Sequence, residues 1–329
     1  MFQWANMLVM KVTRDCNLRC KYCYLKNKDN YKGEIIDFEL FKVVIQRIIK
    51  DKLKSNNHHE KFSLVFHGGE PLLLDSEKFA IMLDYAQNEF NKNSINYDFC
   101  VQTNLTLLDE EKALLMQKYN VHVGASFDGI KKGNEGRTKS FTQDKFEEKF
   151  FMMNDYNVDY SFLSVVNKAN FESIQESIKF AEEEYGVDGF KVNYAEDIFK
   201  EDPGKDNETS EIDGELFFEK AWKPFINKYL DFENNEKYPK LDTNVQLIIN
   251  KFLEDSFVIK ERTKRGNCGV KVCGGGINIV EMNPDGSLYF CGRYSEDDDK
   301  VFVDDIHNRD FLSLHQLKRF SRLNYLKTL

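Results

Sequence analysis

The feature that most limits the fold is an alternation repeated along the first two thirds of the chain. A short run of β-branched and aromatic residues is followed each time by a stretch with apolar residues at three-and-four spacing. That order builds parallel α/β folds, because each strand must cross over through a helix before the next strand can join the same sheet. The strands are expected at Met7 to Thr13, Phe62 to His67, Tyr97 to Thr103, Val121 to Phe127, Tyr160 to Val166 and Phe190 to Asn193. Helices are expected at Asp37 to Leu53, Ser76 to Asn91, Leu108 to Lys118, Gln143 to Asn154 and Phe171 to Tyr185. These six βα units predict an α/β chain built as a partial (β/α)6 barrel. Single domains stop growing near roughly 250 to 300 residues, so the 329-residue chain divides into a core over 1–235 and a smaller module over 236–329.

After the sixth unit the stretch AEDIFKEDPGKDNETSEIDG loses periodicity and reads as a loop over one face of the barrel. Helical segments follow at Glu215 to Phe232 and Asn244 to Leu253, then a β-hairpin of Ile277 to Met282 and Ser287 to Phe290, then a helix near Phe311 to Phe320. Asn283-Pro284-Asp285-Gly286 supplies the hairpin turn. A formal net charge of −9 disfavours nucleic acid as the main partner, since phosphates call for a Lys/Arg surplus. The N-terminus lacks the order of a secretory signal, and no apolar run reaches the roughly 20 residues of a membrane span. A cytoplasmic protein that does not engage a membrane is expected.

Six of the seven cysteines fall in two groups, Cys16, Cys20, Cys23 and Cys268, Cys273, Cys291. In a reducing compartment clustered thiols read as metal or cluster ligands before disulfides. Cys16-x3-Cys20-x2-Cys23 lies just after the first strand, where barrel loops carry chemistry. Three thiolates on one loop can hold three irons of a 4Fe–4S cube and leave the fourth iron open. A structural zinc site is the alternative, though it needs a fourth ligand and usually shows paired cysteines two residues apart. The seventh cysteine, Cys100, lies inside the third strand and reads as a buried small apolar residue.

The CxxxCxxC spacing with Tyr22 before the third cysteine resembles the signature loop of the radical S-adenosylmethionine superfamily. The resemblance implies a 4Fe–4S cluster whose open iron chelates S-adenosylmethionine and whose electron cleaves it to methionine and a 5′-deoxyadenosyl radical. It also implies roles at the following strand ends. Gly68, Gly69 and Glu70 match the family's GGEP segment, which contacts the cofactor's amino group; read on their own, glycines there let the backbone approach a ligand. Gln102 and Asn104 belong to a QTN segment, and Ser126 opens an SxDG segment with Arg137 downstream. In peptide-modifying members these imply Ser126 on the ribose and Arg137 on the methionine carboxylate. At the fifth strand's end, Val166 is expected to pack on the adenine, with Asn167 at its edge.

Cys268-x4-Cys273, three glycines and a hairpin leading to Cys291 resemble the opening half of the auxiliary-cluster domain called SPASM, or its shorter relative called twitch. An auxiliary iron–sulfur cluster is the expectation and zinc the alternative. No further cysteine-rich stretch follows, so the module is of twitch size or truncated. Sulfatase-maturing relatives carry an Asp after the cysteine matching Cys291. This chain has Gly292, which disfavours that activity.

The resemblance thus points to a radical enzyme that abstracts hydrogen from a peptide or protein substrate, giving a thioether or carbon–carbon crosslink, oxidation or epimerisation. A flavodoxin or ferredoxin is the expected class of electron donor. A small-molecule dehydrogenase is the enzymatic alternative. A non-enzymatic electron-transfer or zinc-binding protein is the alternative of another class. Tyr194, Glu196 and Asp197 follow the sixth strand and are the candidate general bases.

Overall fold

The structure, a computed structural model, describes residues 2, 5–23, 25, 28–56, 58–130, 137, 142–187, 190–194, 214–224, 227, 279–289 and 302–305. The six expected strands are present as β1 (Met7–Thr13), β2 (Phe62–Gly68), β3 (Tyr97–Thr103), β4 (Val121–Ser126), β5 (Tyr160–Val166) and β6 (Phe190–Tyr194). The helices between them are α1 (Phe38–Lys54), α2 (Ser76–Lys92), α3 (Glu110–Lys118), α4 (Gln143–Asp155) and α5 (Ile174–Glu184), each within a few residues of its expected bounds. A short α6 (Gly214–Phe217) follows. No helix among the described residues is long and apolar enough to cross a membrane.

Local chemistry starts the helices where it should. Asp37 accepts the backbone N–H groups of Glu39 and Leu40, Asp75 that of Lys78, Asp109 that of Lys112 and Thr142 that of Lys145. Each satisfies donors that the first helical turn leaves open. The helix-facing side of the sheet carries Leu8, Met10, Val12, Phe62, Leu64, Phe66, Phe99, Val101, Val121 and Val123, all at most 1% exposed. Farther round, Phe127, Phe146, Phe150, Phe162 and Tyr185 pack with ring centroids 4.5–6.4 Å apart. These large rings close the core between α4, α5 and the sheet.

Neighbouring strands from β1 to β6 run parallel. The expected hairpin forms as β7 (Ile279–Met282) and β8 (Ser287–Tyr289), with Asn283 and Gly286 closing its turn by a 3.0 Å hydrogen bond, and β9 (Phe302–Asp305) pairs with β8. The hairpin is not a detached unit. β7 lies parallel to β1, giving one nine-stranded sheet in the order β6-β5-β4-β3-β2-β1-β7-β8-β9. The sheet is open, with β6 and β9 at its ends among the described strands, as a partial barrel requires. Described strands on both sides of the boundary expected at 235/236 therefore share one sheet. The other expected elements beyond residue 227 lie outside the described residues.

Strand alternation sends the remaining side chains to the face away from the helices. Lys11 of β1 and Glu281 of β7 meet there in an ion pair of 2.7 Å, at 0% and 4% side-chain exposure. His67 of β2 stands beside both. Burial holds its pKa below the ordinary imidazole value, and its Nδ1 accepts the Gly68 N–H at 2.7 Å, which leaves the ring proton of the neutral form on Nε2.

Candidate active site

The cysteine loop leaves β1 at Thr13 and is pinned at both ends. Asp15 accepts the Cys16 N–H at 2.7 Å and the Gly33 N–H at 2.9 Å, while Arg14 pairs with Glu34. Two rungs then tie the loop to the GGEP turn: Gly69 N–H to the Thr13 carbonyl and Glu70 N–H to the Asp15 carbonyl, both 2.9 Å. The close approach explains the glycines. A Cβ on Gly68 would lie 2.0 Å from the Thr13 oxygen, and one on Gly69 2.0 Å from the Asp15 oxygen, and Gly68 also has φ +140°. Both glycines are thus needed for backbone of this chain to pass, whatever ligand lies beyond.

Glu70 also has a job inside the protein. It is 1% exposed; one carboxylate oxygen accepts the Thr103 hydroxyl at 2.6 Å and the Leu72 N–H at 3.0 Å, and the other accepts the Asn104 N–H at 2.8 Å. Burial raises its pKa, against the pull of those donors. Glu70 therefore staples the end of β2 to the end of β3 from beneath.

That staple delivers Asn104 to the cysteine loop. Its Nδ2 donates to Asn17 Oδ1 at 3.0 Å and lies 3.9 Å from the Cys16 sulfur, which also receives the Leu18 N–H at 3.3 Å. Cys16, Cys20 and Cys23 are reduced thiols, the first buried and the others partly exposed. Gln102 lies across β4, where Gly124 leaves it room, since a Cβ there would fall 2.3 Å from its Oε1. Its Nε2 donates to the Ser126 hydroxyl at 3.3 Å.

Beyond β4, Asp128 and Arg137 are buried together at 1% and 3% exposure. Asp128 accepts the Tyr22 hydroxyl with one oxygen and the Val165 N–H at 3.0 Å with the other. Burial raises its pKa, opposed by the Arg137 guanidinium. Burial likewise pushes the Tyr22 phenol well up, with Asp128 adding to it. Arg137 donates Nη1 to the Ser126 carbonyl and faces Cys20; burial opposes its charge, yet Tyr22, Asp128 and Cys20 outweigh that and raise its pKa. Its Nε is buried without a hydrogen-bond partner among the described residues, 3.8 Å from Asp128. A buried N–H of a guanidinium left without an acceptor invites an anion.

The fold thus brings Cys16, Cys20, Cys23, Tyr22, Gly68, Gly69, Glu70, Gln102, Asn104, Ser126 and Arg137 to adjoining strand ends. Val166 does not join them on the open side. It is fully buried and, two residues on from Ser164, shares the helix-facing side of β5 with Phe162, whereas Val165 is partly exposed on the other side. Asn167 is spent on its own turn, donating to the Val165 carbonyl and accepting the Ala169 N–H, both 2.9 Å. Cys100 is partly exposed on the open side of β3 rather than buried among apolar groups, and burial raises its pKa to about 11. Tyr194 ends β6, but its side chain, Glu196, Asp197, Cys268, Cys273, Cys291 and Gly292 lie outside the described residues.

Sequence reasoning missed Asp15, Asn17 and Asn170, and it met Asp128 only as part of the SxDG segment, with no role of its own. Asn170 donates Nδ2 to the carbonyls of Asp128 and Val165 at 3.1 and 3.0 Å and so joins the ends of β4 and β5. Asp128 had a signal: an acid between apolar Phe127 and a glycine at a strand end.

The pattern of the Radical SAM superfamily matches residues 10–181. The cysteine-type anaerobic sulfatase-maturating enzyme of Clostridium novyi (strain NT) is 26% identical over 303 residues, 90% of this chain and 75% of that protein. Among solved structures, native anSMEcpe with bound AdoMet superposes with a TM-score of 0.72 at 23% identity, covering 94% of this chain and 80% of that one. Streptococcus suis SuiB bound to precursor peptide SuiA gives 0.63 at 14% identity, covering 93% of this chain and 63% of SuiB. At those identities the two structures speak for the fold.

Proposed function

Because this chain belongs to the Radical SAM superfamily, whose enzymes use a 4Fe–4S cluster and S-adenosylmethionine, we propose that it abstracts hydrogen from a peptide or protein substrate and so modifies it. The observation that carries the site is Arg137: a buried guanidinium against the cysteine loop, whose Nε has no hydrogen-bond acceptor among the described residues. In this reading Cys16, Cys20 and Cys23 hold the cluster. The Leu18 N–H and the Asn104 amide at the Cys16 sulfur would be hydrogen-bond donors to that ligand. When bound, cluster and cofactor together supply the 5′-deoxyadenosyl radical.

The rest is positioning by this chain's own groups. Arg137 offers Nε to the cofactor's carboxylate. Ser126, held by Gln102, offers its hydroxyl to the ribose, and Gly68 and Gly69 bring backbone groups to the amino end. Tyr22 fixes the loop next to Cys23. Glu70 acts beneath the site, on Thr103 and Asn104, rather than on an ammonium group. On the open side Val165 takes the place for an adenine contact that the sequence reading gave to Val166.

The peptide assignment rests on relatives: SuiB is described with a precursor peptide and the clostridial enzyme as a sulfatase-maturating enzyme. Residues 1–235 would form the radical core and 236–329 an auxiliary-cluster module, with Cys268, Cys273 and Cys291 as its ligands and a flavodoxin or ferredoxin as electron donor. Gly292 in place of the relatives' Asp argues for a product other than that of sulfatase maturation.

The test uses the anaerobically reconstituted chain with S-adenosylmethionine, dithionite and each short peptide encoded beside its gene. One peptide is expected to raise 5′-deoxyadenosine formation and to lose two hydrogen atoms in mass. A rate indifferent to every peptide, with no mass change in any, would overturn the peptide assignment.

A further inference from the structure

Asp128 stands out among the buried charged groups because it touches the site on three sides. It lies two residues past the end of β4, at 1% exposure. One carboxylate oxygen accepts the Val165 N–H at 3.0 Å, so β5 holds it in place. The other accepts the hydroxyl of Tyr22, 106 residues away on the cysteine loop and directly before Cys23. The Arg137 Nε lies 3.8 Å from that same oxygen. Its own carbonyl accepts the Asn170 amide at 3.1 Å, and that amide also bonds the Val165 carbonyl. The carboxylate is therefore fixed to β5 before it meets the loop.

We infer that Asp128 is a positioning residue that clamps the cysteine loop, through the Tyr22 hydroxyl, to the end of β4. The inference rests on the reading of Cys16, Cys20 and Cys23 as cluster ligands. Three features support a clamp over simple packing. Asp15, Arg14 and Asn17 tie the start of the loop and its return at Gly33 and Glu34, and the Tyr22 hydroxyl ties the stretch beside Cys23 across to Asp128. A phenol bonded to a buried carboxylate is charge-assisted, and such bonds hold geometry better than neutral ones. The same carboxylate stands beside Arg137, so one group sets both the loop and the guanidinium that faces Cys20. A displacement of Tyr22 would reach Cys23 on one side and the cofactor's carboxylate site on the other.

The test compares the full-length wild-type chain with Tyr22→Phe, Asp128→Asn and the double variant. Tyr22→Phe removes a single hydroxyl and retains the ring, so the fold is kept even if Asp128→Asn is poorly tolerated. The first readout needs no cluster: tryptic cleavage after Lys21, an exposed loop residue, in the cluster-free chain. Losing a hydrogen bond to a charged group should speed that cut by roughly tenfold or more. Cleavage after Lys54, at the end of α1, should stay at the wild-type rate. The second readout is the affinity of the reconstituted chain for S-adenosylmethionine, expected to weaken by roughly tenfold in each single variant and no further in the double, since both lesions open one clamp. Wild-type cleavage after Lys21 in Tyr22→Phe would overturn the clamp. So would single-variant losses that add in the double, or cleavage raised equally at every site. A wild-type chain that never forms 5′-deoxyadenosine would instead defeat the radical reading, and the cluster-free cleavage result separates the two failures.

Discussion

Replacing Glu70 by Gln separates a staple from a ligand contact. The carboxylate takes three donors on two oxygens: Thr103 and Leu72 on one, Asn104 on the other, at 2.6, 3.0 and 2.8 Å. An amide has one acceptor oxygen. In one orientation its NH₂ faces the Asn104 N–H; in the other it faces the Leu72 N–H, and only the Thr103 hydroxyl can turn to suit it. Either way one buried backbone donor loses its acceptor, at about 1–3 kcal/mol, and the remaining bonds lose their charge assistance, at about 1 kcal/mol. Burying a neutral amide is easier than burying a carboxylate whose pKa burial already raises, which returns part of this. A net loss of about 2–3 kcal/mol follows, or a melting point lower by roughly 4–12 °C on the scaling for larger domains. Urea unfolding of the cluster-free chain, followed by circular dichroism, measures it. An unchanged midpoint combined with weakened S-adenosylmethionine binding would refute the staple and restore Glu70 as an ammonium acceptor.

Gly124→Ala puts a Cβ 2.3 Å from Gln102 Oε1, the far end of a side chain. Stability should change by less than about 1 kcal/mol while S-adenosylmethionine binding weakens as Gln102 leaves Ser126, which equilibrium dialysis checks. Lys11→Met takes the ammonium from the buried Glu281 carboxylate and should cost about 3–5 kcal/mol, whereas Lys11→Met with Glu281→Met should recover most of it; denaturant midpoints of the cycle decide. His67 is held neutral by burial, with its folded pKa below 6.5. The stability this contributes is present above 6.5 and is lost as pH falls toward the folded value. His67→Gln should flatten that part of the stability–pH curve.

The strands and helices were legible because each lies in one short window of sequence: alternation, three-and-four spacing and an Asp or Thr cap suffice. The strand-end groups were legible for a related reason, since a parallel barrel gathers the C-terminal ends of its strands whatever the loops do. What was not legible depends on parity and on distant pairing. Val166 and Val165 differ by one residue, and one residue turns a side chain from the open side to the helices. Counting from Phe162 would have shown it. The packing role of Gly68 and Gly69 was not legible because the carbonyls of Thr13 and Asp15, which they make room for, lie more than 50 residues away. β7 beside β1 and Tyr22 on Asp128 are likewise contacts that no local pattern encodes.

The central claim is that the loop of Cys16, Cys20 and Cys23 carries the radical chemistry. Its most direct test is anaerobic reconstitution of the full chain, reduction with dithionite and assay of 5′-deoxyadenosine from S-adenosylmethionine, beside a variant with Cys16, Cys20 and Cys23 all replaced by Ala. The account predicts product from the wild-type chain and none from the variant. No product from a wild-type chain loaded with iron and sulfide, or equal product from both, would contradict it.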